Sequence, residues 1–139
     1  MVIMKTTKDF DVRELVSKEL YSRFGENITY FLNPVMVYQL RELRSYLNKS
    51  LIINNWHVGG NYNESGLRAP RSPVGATYSR HKFGCALDIK SPQISSAELW
   101  ELLYKKHAGF AITELENKEI TKTWTHVGWG YGKFRVINP

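Results

Sequence analysis

The segment SRHKFGCALD, residues 79–88, is the part of the chain from which its fold and chemistry can be inferred. His81 and Asp88 are seven residues apart in it, and Gly84 between them would let the chain bend so that both side chains reach one point. The residues around Asp88 are apolar or small, as in a buried strand, where a carboxylate is costly unless a positive charge compensates it. Zinc is one such partner, because it binds histidine nitrogen and aspartate oxygen. These residues alone are equally consistent with an arginine paired to Asp88 and an ordinary loop histidine.

A second histidine lies near the C-terminus, in the segment TWTHVGW, residues 123–129. The β-branched and aromatic residues of this segment favour a strand, and His126 lies inside it. Two histidines and an aspartate from adjacent strands would form a three-ligand metal site with one position open for water. An open position is typical of catalytic zinc, whereas structural zinc sites are closed by four protein ligands.

The order of these residues resembles a family motif, Ser-x-His-x-x-Gly-x-Ala-x-Asp followed by Trp-x-His. The matching residues here are Ser79, His81, Gly84, Ala86, Asp88, Trp124 and His126. The family is that of the zinc D-Ala-D-Ala carboxypeptidases, which includes the D-Ala-D-Ala dipeptidase of vancomycin resistance, phage L-alanyl-D-glutamate endolysins and, more distantly, the hedgehog signalling domain. Upstream, Ser65–Arg68 is similar to the family's Ser-Gly-x-Arg element, whose arginine contacts the substrate. The resemblance extends from about Ile52 to Gly128, a little over half of the chain.

The resemblance implies a hedgehog-like or DD-peptidase-like fold and a zinc ion held by His81, Asp88 and His126. It also implies a metallopeptidase that hydrolyses stem peptides of bacterial peptidoglycan, as a D-Ala-D-Ala carboxypeptidase or an L-Ala-D-Glu endopeptidase. Arg68 would orient the substrate or stabilise the developing oxyanion, since a guanidinium binds carboxylates in bidentate fashion. The residues expected to contact the substrate are Arg68, Tyr78, Ser79 and Trp124. By analogy, the small size and basic charge resemble phage lytic or virion-associated wall enzymes.

The chain departs from the family pattern at the residue that should move the proton. Well-known family members carry an acidic or histidine residue three positions before the last zinc ligand, where this chain has Thr123. A base must take a proton from the attacking water and return it to the leaving amine, and threonine cannot serve. Glu114 is the first choice as substitute, because it would lie opposite His126 if even strand positions pair with even ones. Glu116 shares the strand face of Glu114, Glu119 lies near the turn, and plain surface charge explains these glutamates equally well.

The chain of 139 residues is expected to form one domain, residues 1–139, with its own core. The net charge of +6 would suit nucleic acid, anionic membranes or anionic wall polymers, but the positive residues are scattered, which argues against a nucleic-acid partner. The single cysteine cannot form an internal disulfide. The first eight residues lack the apolar core of a signal peptide, and no segment approaches membrane-spanning length. We therefore expect synthesis in the cytoplasm and delivery to the wall by another route, such as phage-type release or incorporation into a virion.

Three helices are predicted from capping residues and apolar spacing. The first is expected to start at Asp11, the second at Asn33-Pro34, and the third at the capping box of residues 95–98. Their expected ends are near Gly25, Asn48 and Gly109.

Strands are predicted at residues 51–56, 110–115 and 123–129, with one more short strand within 131–137. The second and third of these would form an antiparallel hairpin. Residues 57–78 are punctuated by glycine and proline, and a loop of this length is usually functional or disordered, so we expect it to line the substrate site. The predicted fold class is α+β, with helices packed on one side of a small antiparallel sheet.

The remaining histidines and the cysteine have plainer explanations. His107 falls in the last turn of a helix, where an imidazolium suits the dipole. His57 could line the cleft but belongs to no motif, and Cys85 would act as a small apolar residue in the core. Two other functions remain open: a zinc-stabilised module without catalysis that binds wall peptide or a protein partner, which Thr123 favours, and a nucleic-acid binder, which rests on charge and aromatic content alone.

Overall fold

The computed structural model describes residues 10–138, and the expectation about a signal peptide at residues 1–8 lies outside them. Within this described range the fold is α+β, as predicted, with three α-helices, several short 3₁₀ helices and a four-stranded sheet. The helices are α1 (Lys18–Phe24), α2 (Pro34–Leu47) and α3 (Ser96–Lys106). The strands are β1 (Ala86–Ile89), β2 (Glu114–Glu116), β3 (Thr125–Gly128) and β4 (Arg135–Ile137).

The first predicted helix is wrong in its extent. Asp11 does form a capping box, but on a 3₁₀ helix of three residues, Val12–Glu14. The chain then leaves helical geometry, because Val16 pairs with Leu67 and the Ser17 amide donates to the Leu67 carbonyl at 3.0 Å. Helix α1 begins only after Ser17, whose hydroxyl caps it. The N-terminal segment is therefore tied to the Ser65–Arg68 loop.

The second and third helices start where the sequence predicts. Asn33 caps α2 through Oδ1, which accepts from two backbone amides at 2.8 and 3.1 Å, and Pro34 occupies the first helical position. Helix α2 ends at Asn48 in the left-handed conformation. Ser95 and Glu98 form the capping box of α3, which ends at Lys106 and passes into a 3₁₀ helix, His107–Phe110, so the α-helix ends before Gly109.

The sheet is mixed rather than purely antiparallel. Its strand order is β1-β3-β2-β4, and β3 pairs antiparallel with both β1 and β2, which confirms the predicted hairpin. Strand β4 pairs parallel with β2. The physical reason is that β1 and β2 occupy both edges of β3, so the last segment crosses to the remaining edge of β2. Strand β2 also begins later than predicted, because Phe110 belongs to the preceding 3₁₀ helix.

The strand predicted at residues 51–56 is wrong as well. Only one bridge joins this segment to the sheet, between Ile52 and Lys90, and a 3₁₀ helix, Trp56–Val58, follows. Asn54 explains the difference, because its side chain donates to the Val16 carbonyl at 2.9 Å and accepts from the Ser65 amide at 2.9 Å. The segment thus joins the N-terminal turn to the Ser65 loop instead of extending the sheet.

The two faces of the sheet have different tasks. Leu87 and Leu115 both pair with Val127, and all three side chains belong to the buried apolar core, which also contains residues of all three helices. Asp88 pairs with His126, and side chains alternate along a strand, so these two residues share the opposite face. The core holds the strands in register, and the register aligns the polar residues of the other face.

Candidate metal centre and cleft

His81 is delivered by a short 3₁₀ helix, Arg80–Phe83, that precedes β1. The Ser79 hydroxyl caps this helix by accepting from the His81 amide at 3.2 Å. Gly84 ends it with φ +72°, and a Cβ at this position would lie 2.0 Å from the Phe31 carbonyl oxygen. The bend that the sequence predicted at Gly84 is therefore present, and it requires glycine both for its backbone angle and for its contact with Phe31.

The three predicted metal ligands converge on one point. Asp88 Oδ1 lies 3.2 Å from His81 Nε2 and 3.1 Å from His126 Nδ1, and the two nitrogens are 3.2 Å apart. Both histidines are almost inaccessible to solvent, with 2% and 6% of their surface exposed. This buried group could hold a metal ion.

Hydrogen bonds on the far side of each ring fix the tautomers. His81 Nδ1 lies 2.9 Å from the Gly66 carbonyl, and His126 Nε2 lies 2.8 Å from a Glu114 carboxylate oxygen. A carbonyl and a carboxylate can only accept, so these nitrogens carry the hydrogens. In the neutral rings the opposite nitrogens present lone pairs toward Asp88, and until a cation binds, a second proton on His126 donates to Asp88 instead. Three electron-pair donors that face one point need a cation between them, and a histidine whose second nitrogen donates to a carboxylate or carbonyl is typical of metal sites.

The charges of the cluster agree with this demand for a cation. Burial alone would raise the pKa of Asp88, but its hydrogen bonds to both histidines outweigh burial and hold this pKa far below its usual range. Burial would likewise lower the pKa of His126, but the carboxylates of Asp88 and Glu114 raise it to about 9. Burial lowers the pKa of His81. One proton on His126 therefore compensates the carboxylates, and a divalent ion bound here would replace that proton.

Glu114, the first choice as general base, lies behind His126. Even positions do pair with even ones, but Glu114 is opposite Gly128 rather than His126. It is 4% exposed, and its carboxylate contacts His126 Nε2, the Arg80 guanidinium at 3.2 Å and the Arg135 guanidinium at 3.5 Å. Because Glu114 contacts the ring nitrogen that points away from Asp88, it is placed to orient His126 and not to reach the open side of the cluster.

Glu116 occupies the position that the sequence analysis gave to Glu114. The register that pairs Leu115 with Val127 places Glu116 opposite His126. Its carboxylate is partly buried and has no hydrogen-bond or ion-pair partner among residues 10–138. Burial raises the pKa of Glu116, and its charge interacts with those of His126 and Asp88. Glu119, in contrast, is exposed in the turn before β3.

A cleft of about 390 Å³ opens beside Asp88. It contains two of the predicted substrate contacts, Arg68 and Trp124, and also Thr123. Residues that line it without having been predicted are Asn61, Tyr62, Asn63, Glu64, Ser65, Val74 and Lys90. Most of these belong to the 57–78 loop, in agreement with the expectation that this loop lines the site.

Arg68 lies in the cleft wall but is already engaged. Its guanidinium donates to the Glu64 carbonyl at 2.6 Å, to the Val74 carbonyl at 3.3 Å and to Asp88 Oδ2 at 3.3 Å. It is 7% exposed, and burial lowers its pKa. Arg68 is thus the arginine paired to Asp88 that the sequence also allowed, and it holds this carboxylate in place.

The other two predicted substrate contacts are not brought to the cleft. Tyr78 is 83% exposed and lies outside the cleft wall. Ser79 is outside the wall as well, because its hydroxyl caps the helix of His81. Both predictions followed from closeness in sequence to His81, and the 3₁₀ helix at Arg80–Phe83 turns the chain so that only the histidine faces the site.

The remaining candidates also lie outside the cluster. His57 contacts the Trp56 ring and is not part of the cleft wall. His107 was predicted in the last turn of the third helix, but it is the C-cap of α3 and begins the 3₁₀ helix that follows. Its ring stacks on Phe134, with ring centres 3.7 Å apart. Cys85 is half-buried rather than in the core, and it lines a separate surface depression.

Lys90 is the cation of the cleft that was not predicted from the sequence. It lies two positions after Asp88, and since side chains alternate along a strand, a lysine at this spacing must project from the same face. Burial lowers its pKa to about 8, although the Asp88 carboxylate opposes the shift. The alternation rule was thus a usable signal for Lys90.

Gly66 gives a direct test of how the cluster is supported. A Cβ at this position would lie 2.2 Å from the Leu15 carbonyl oxygen and 2.6 Å from its carbon, and backbone cannot swing aside as a side chain can. We expect Gly66→Ala to lower the free energy of unfolding by about 1–3 kcal/mol and to weaken metal binding, since the Gly66 carbonyl orients His81. Urea unfolding measures the first effect. Gly109→Ala is the control, because nothing lies within 4 Å of its Cβ position; equal midpoints for the two variants would contradict the prediction.

Comparison with models of protein families, with curated proteins and with solved structures finds no match for this chain. Among residues 10–138, no helix is long and apolar enough to cross a membrane. The geometry of the His81–Asp88–His126 cluster and its cleft, together with the sequence motifs, therefore indicates the function.

Proposed function

We propose that this protein is a zinc-dependent peptidase that hydrolyses peptide bonds in the stem peptides of bacterial peptidoglycan. The observation that carries the proposal is the convergence of His81 Nε2, Asp88 Oδ1 and His126 Nδ1, with the other ring nitrogen of each histidine beside a hydrogen-bond acceptor. Three protein ligands beside an open cleft leave a position for water and substrate, as in catalytic rather than structural zinc sites. The motif resemblance supports the same metal and the same class of reaction.

In this mechanism, groups outside the cluster fix the orientation of each of the three ligands. Gly66 and Glu114 orient the two histidines, and Arg68 holds the second oxygen of Asp88. Zinc, when bound, would polarise the scissile carbonyl and activate the attacking water. Because the supporting groups are in place beforehand, little reorganisation is needed during the reaction.

Glu116 is the residue that we assign to proton transfer, in place of Thr123. It lies on the strand face of the ligands, opposite His126 and outside the cleft wall, and its carboxylate has no partner among the described residues. A partly buried carboxylate with a raised pKa suits a group that takes a proton from water and returns it to the leaving amine. Glu114 keeps the charge of His126 balanced, so the two carboxylates of β2 have separate tasks.

The substrate class rests on the motif resemblance and on charge. The Ser-Gly-x-Arg element and the zinc motif resemble those of enzymes that act on D-Ala-D-Ala and L-Ala-D-Glu bonds, so the proposal covers both the carboxypeptidase and the endopeptidase alternatives. A net charge of +6 favours association with anionic wall polymers. Delivery to the wall by phage-type release or within a virion is part of the same proposal.

A second candidate function is a metal-stabilised module that binds wall peptide or a protein partner without cleaving it. Thr123 favours this candidate, because it lines the cleft where a base is expected and cannot accept the proton. The binding module would keep the metal and the cleft but would show no turnover.

The experiment that separates the two functions measures peptide release from purified peptidoglycan by mass spectrometry, with chelator and with zinc added back. We expect release that stops with chelator and returns with zinc, and the fragment masses will identify the bond that is cut. No release by fully zinc-loaded protein from several wall types would contradict the peptidase and support the binding module.

A further inference from the structure

We infer that Lys90 forms a carboxylate-binding subsite beside the metal centre, which selects peptide substrates that carry a free carboxylate within about two residues of the scissile bond. The inference rests on the proposed function for the location of the scissile bond, and it adds the chemical group by which the substrate is recognised. It assigns to Lys90 the recognition that the sequence analysis gave to Arg68.

The backbone of Lys90 is held rigidly. Its amide donates to the Ile52 carbonyl at 2.9 Å, and its carbonyl accepts from the Ile52 amide at 2.7 Å. Lys90 lies just beyond β1 and shares the face of Asp88, because the two are two positions apart. A fixed backbone limits the positions that the ammonium can reach, so the charge is directed into the cleft wall.

The ammonium group is only partly satisfied. It donates to the Ser65 hydroxyl at 2.9 Å and to the Asp88 carbonyl at 3.1 Å, and it lies 4.2 Å from the centre of the Tyr62 ring. An ammonium has three hydrogens, of which two donate to these oxygens, and the third has the Tyr62 ring beside it but no oxygen or nitrogen acceptor among residues 10–138, so it can donate to a ligand. No carboxylate of residues 10–138 lies within 4.0 Å of Lys90 Nζ, although the side chain is largely withdrawn from water. A cation in such a place is costly until an anion joins it.

Lys90 is also the freer of the two cations of the cleft. The Arg68 guanidinium donates hydrogen bonds to two carbonyls and to Asp88 Oδ2, and the side chain is almost fully buried. The cleft wall contains two acidic side chains, and both have partners. Asp88 contacts the two histidines and Arg68, and Glu64 accepts a hydrogen bond from the Ser72 hydroxyl at 2.9 Å. The unmatched charge of the cleft is therefore positive and lies at Lys90.

The distance from the metal centre limits which carboxylate can bind. Two positions along an extended strand separate the Cα atoms of Asp88 and Lys90 by about 7 Å. Because Nζ turns back to within 3.1 Å of the Asp88 carbonyl, the ammonium lies within the length of about two residues of an extended peptide from the metal centre. A substrate whose scissile carbonyl lies at the metal centre would place at Lys90 either its C-terminal carboxylate or the free α-carboxylate of a neighbouring D-glutamyl residue. The first belongs to a carboxypeptidase and the second to an endopeptidase, and both present the same chemistry to the ammonium.

The test uses zinc-loaded protein and two pairs of synthetic stem peptides. One pair differs only in a C-terminal acid or amide, and the other only in the α-carboxylate or α-amide of the D-glutamyl residue. We expect the acid of one pair to be preferred by about 10- to 100-fold in kcat/KM, as for one hydrogen bond to a charged group. Lys90→Gln should remove this preference by lowering kcat/KM for the acid alone, and Lys90→Arg should restore part of it. Lys105→Gln, an exposed lysine of α3 outside the cleft, is the control.

A purely structural role for Lys90 would give a different result. If Lys90 only held Ser65 and Asp88, Lys90→Gln would lower the rates for acid and amide equally and would reduce the zinc content, and this result would overturn the inference. Unchanged discrimination in Lys90→Gln would overturn it as well.

If zinc-loaded wild-type protein cleaves none of the peptides, the proposed peptidase function is wrong. Calorimetric measurement of the binding of the same peptides then tests whether Lys90 binds a carboxylate. A preference for the acid that Lys90→Gln abolishes would support the subsite on a binding module. Equal binding of acid and amide, or no binding of either, would overturn it.

Discussion

Replacing His81 or Asp88 by alanine will abolish metal binding and wall lysis together. Each residue supplies one of three donor atoms that lie 3.1–3.2 Å from one another, so either change leaves only two ligands. We expect metal affinity to fall by more than the roughly 10- to 100-fold typical of outer-shell changes. Activity should fall by at least about 10³-fold, because the metal supplies several kcal/mol of transition-state stabilisation.

The measurement is zinc content by elemental analysis together with peptide release from peptidoglycan. Asp88→Asn accompanies the alanine variants, because it keeps the shape of a side chain that also pairs with Arg68 and so separates loss of metal from loss of fold. Circular dichroism of each variant reports on the fold. His107→Ala is the control, since His107 lies outside the cluster and should leave the zinc content unchanged. Activity unchanged in His81→Ala or Asp88→Ala would contradict the assignment of the site.

The cluster of His81, Asp88 and His126 could be predicted from sequence because most of its signals are local. The spacing of His81, Gly84 and Asp88 places two candidate ligands on either side of one bend. His126 was found because its segment has strand composition, although the pairing of β1 with β3 that brings it beside Asp88 is a long-range contact. The helices that begin at Asn33 and Ser95 were predictable for the same reason, since a cap is specified by the two or three residues beside it. Strong local signals therefore predicted the α+β class and the three residues that the structure brings together.

The errors arose where long-range contacts decide the structure. The tasks of Glu114 and Glu116 depend on a strand register that shifts by two residues, and no local pattern specifies that shift. No strand forms at residues 51–56, because the side chain of Asn54 makes hydrogen bonds to segments that are distant in sequence. Arg68 looked like a free substrate ligand because its partner Asp88 lies twenty residues away.

Glu116→Gln will lower kcat by about 10²–10⁴-fold, the usual contribution of a general base, and will leave metal affinity unchanged. Glu116 contacts none of the three ligand atoms by a hydrogen bond, so its amide form should not disturb them. The measurement pairs single-turnover cleavage of a synthetic stem peptide with zinc affinity from chelator competition. Glu119→Gln is the matched control, because Glu119 is exposed in the turn before β3 and should leave both quantities unchanged.

Glu114→Gln should have the reverse effect of Glu116→Gln: zinc affinity should fall, and kcat at saturating zinc should change little. Its carboxylate accepts from His126 and balances Arg80 and Arg135, so the neutral amide should lower zinc affinity by about 10- to 100-fold. At saturating zinc most of the activity should return, because the group orients a ligand and takes no proton itself. Glu116→Gln should show no such recovery.

The two glutamate variants together also decide between the enzyme and the binding module. A large loss of kcat in Glu116→Gln at full zinc occupancy requires turnover in the parent protein, so it excludes the non-catalytic module. A large loss in Glu114→Gln that zinc does not restore would return the role of general base to Glu114, and β2 would then have to shift by two residues when substrate binds. If neither variant differs from a parent protein that binds zinc and wall peptide without cleaving it, then β2 holds no catalytic base, and Thr123 explains why the cleft binds but does not cut.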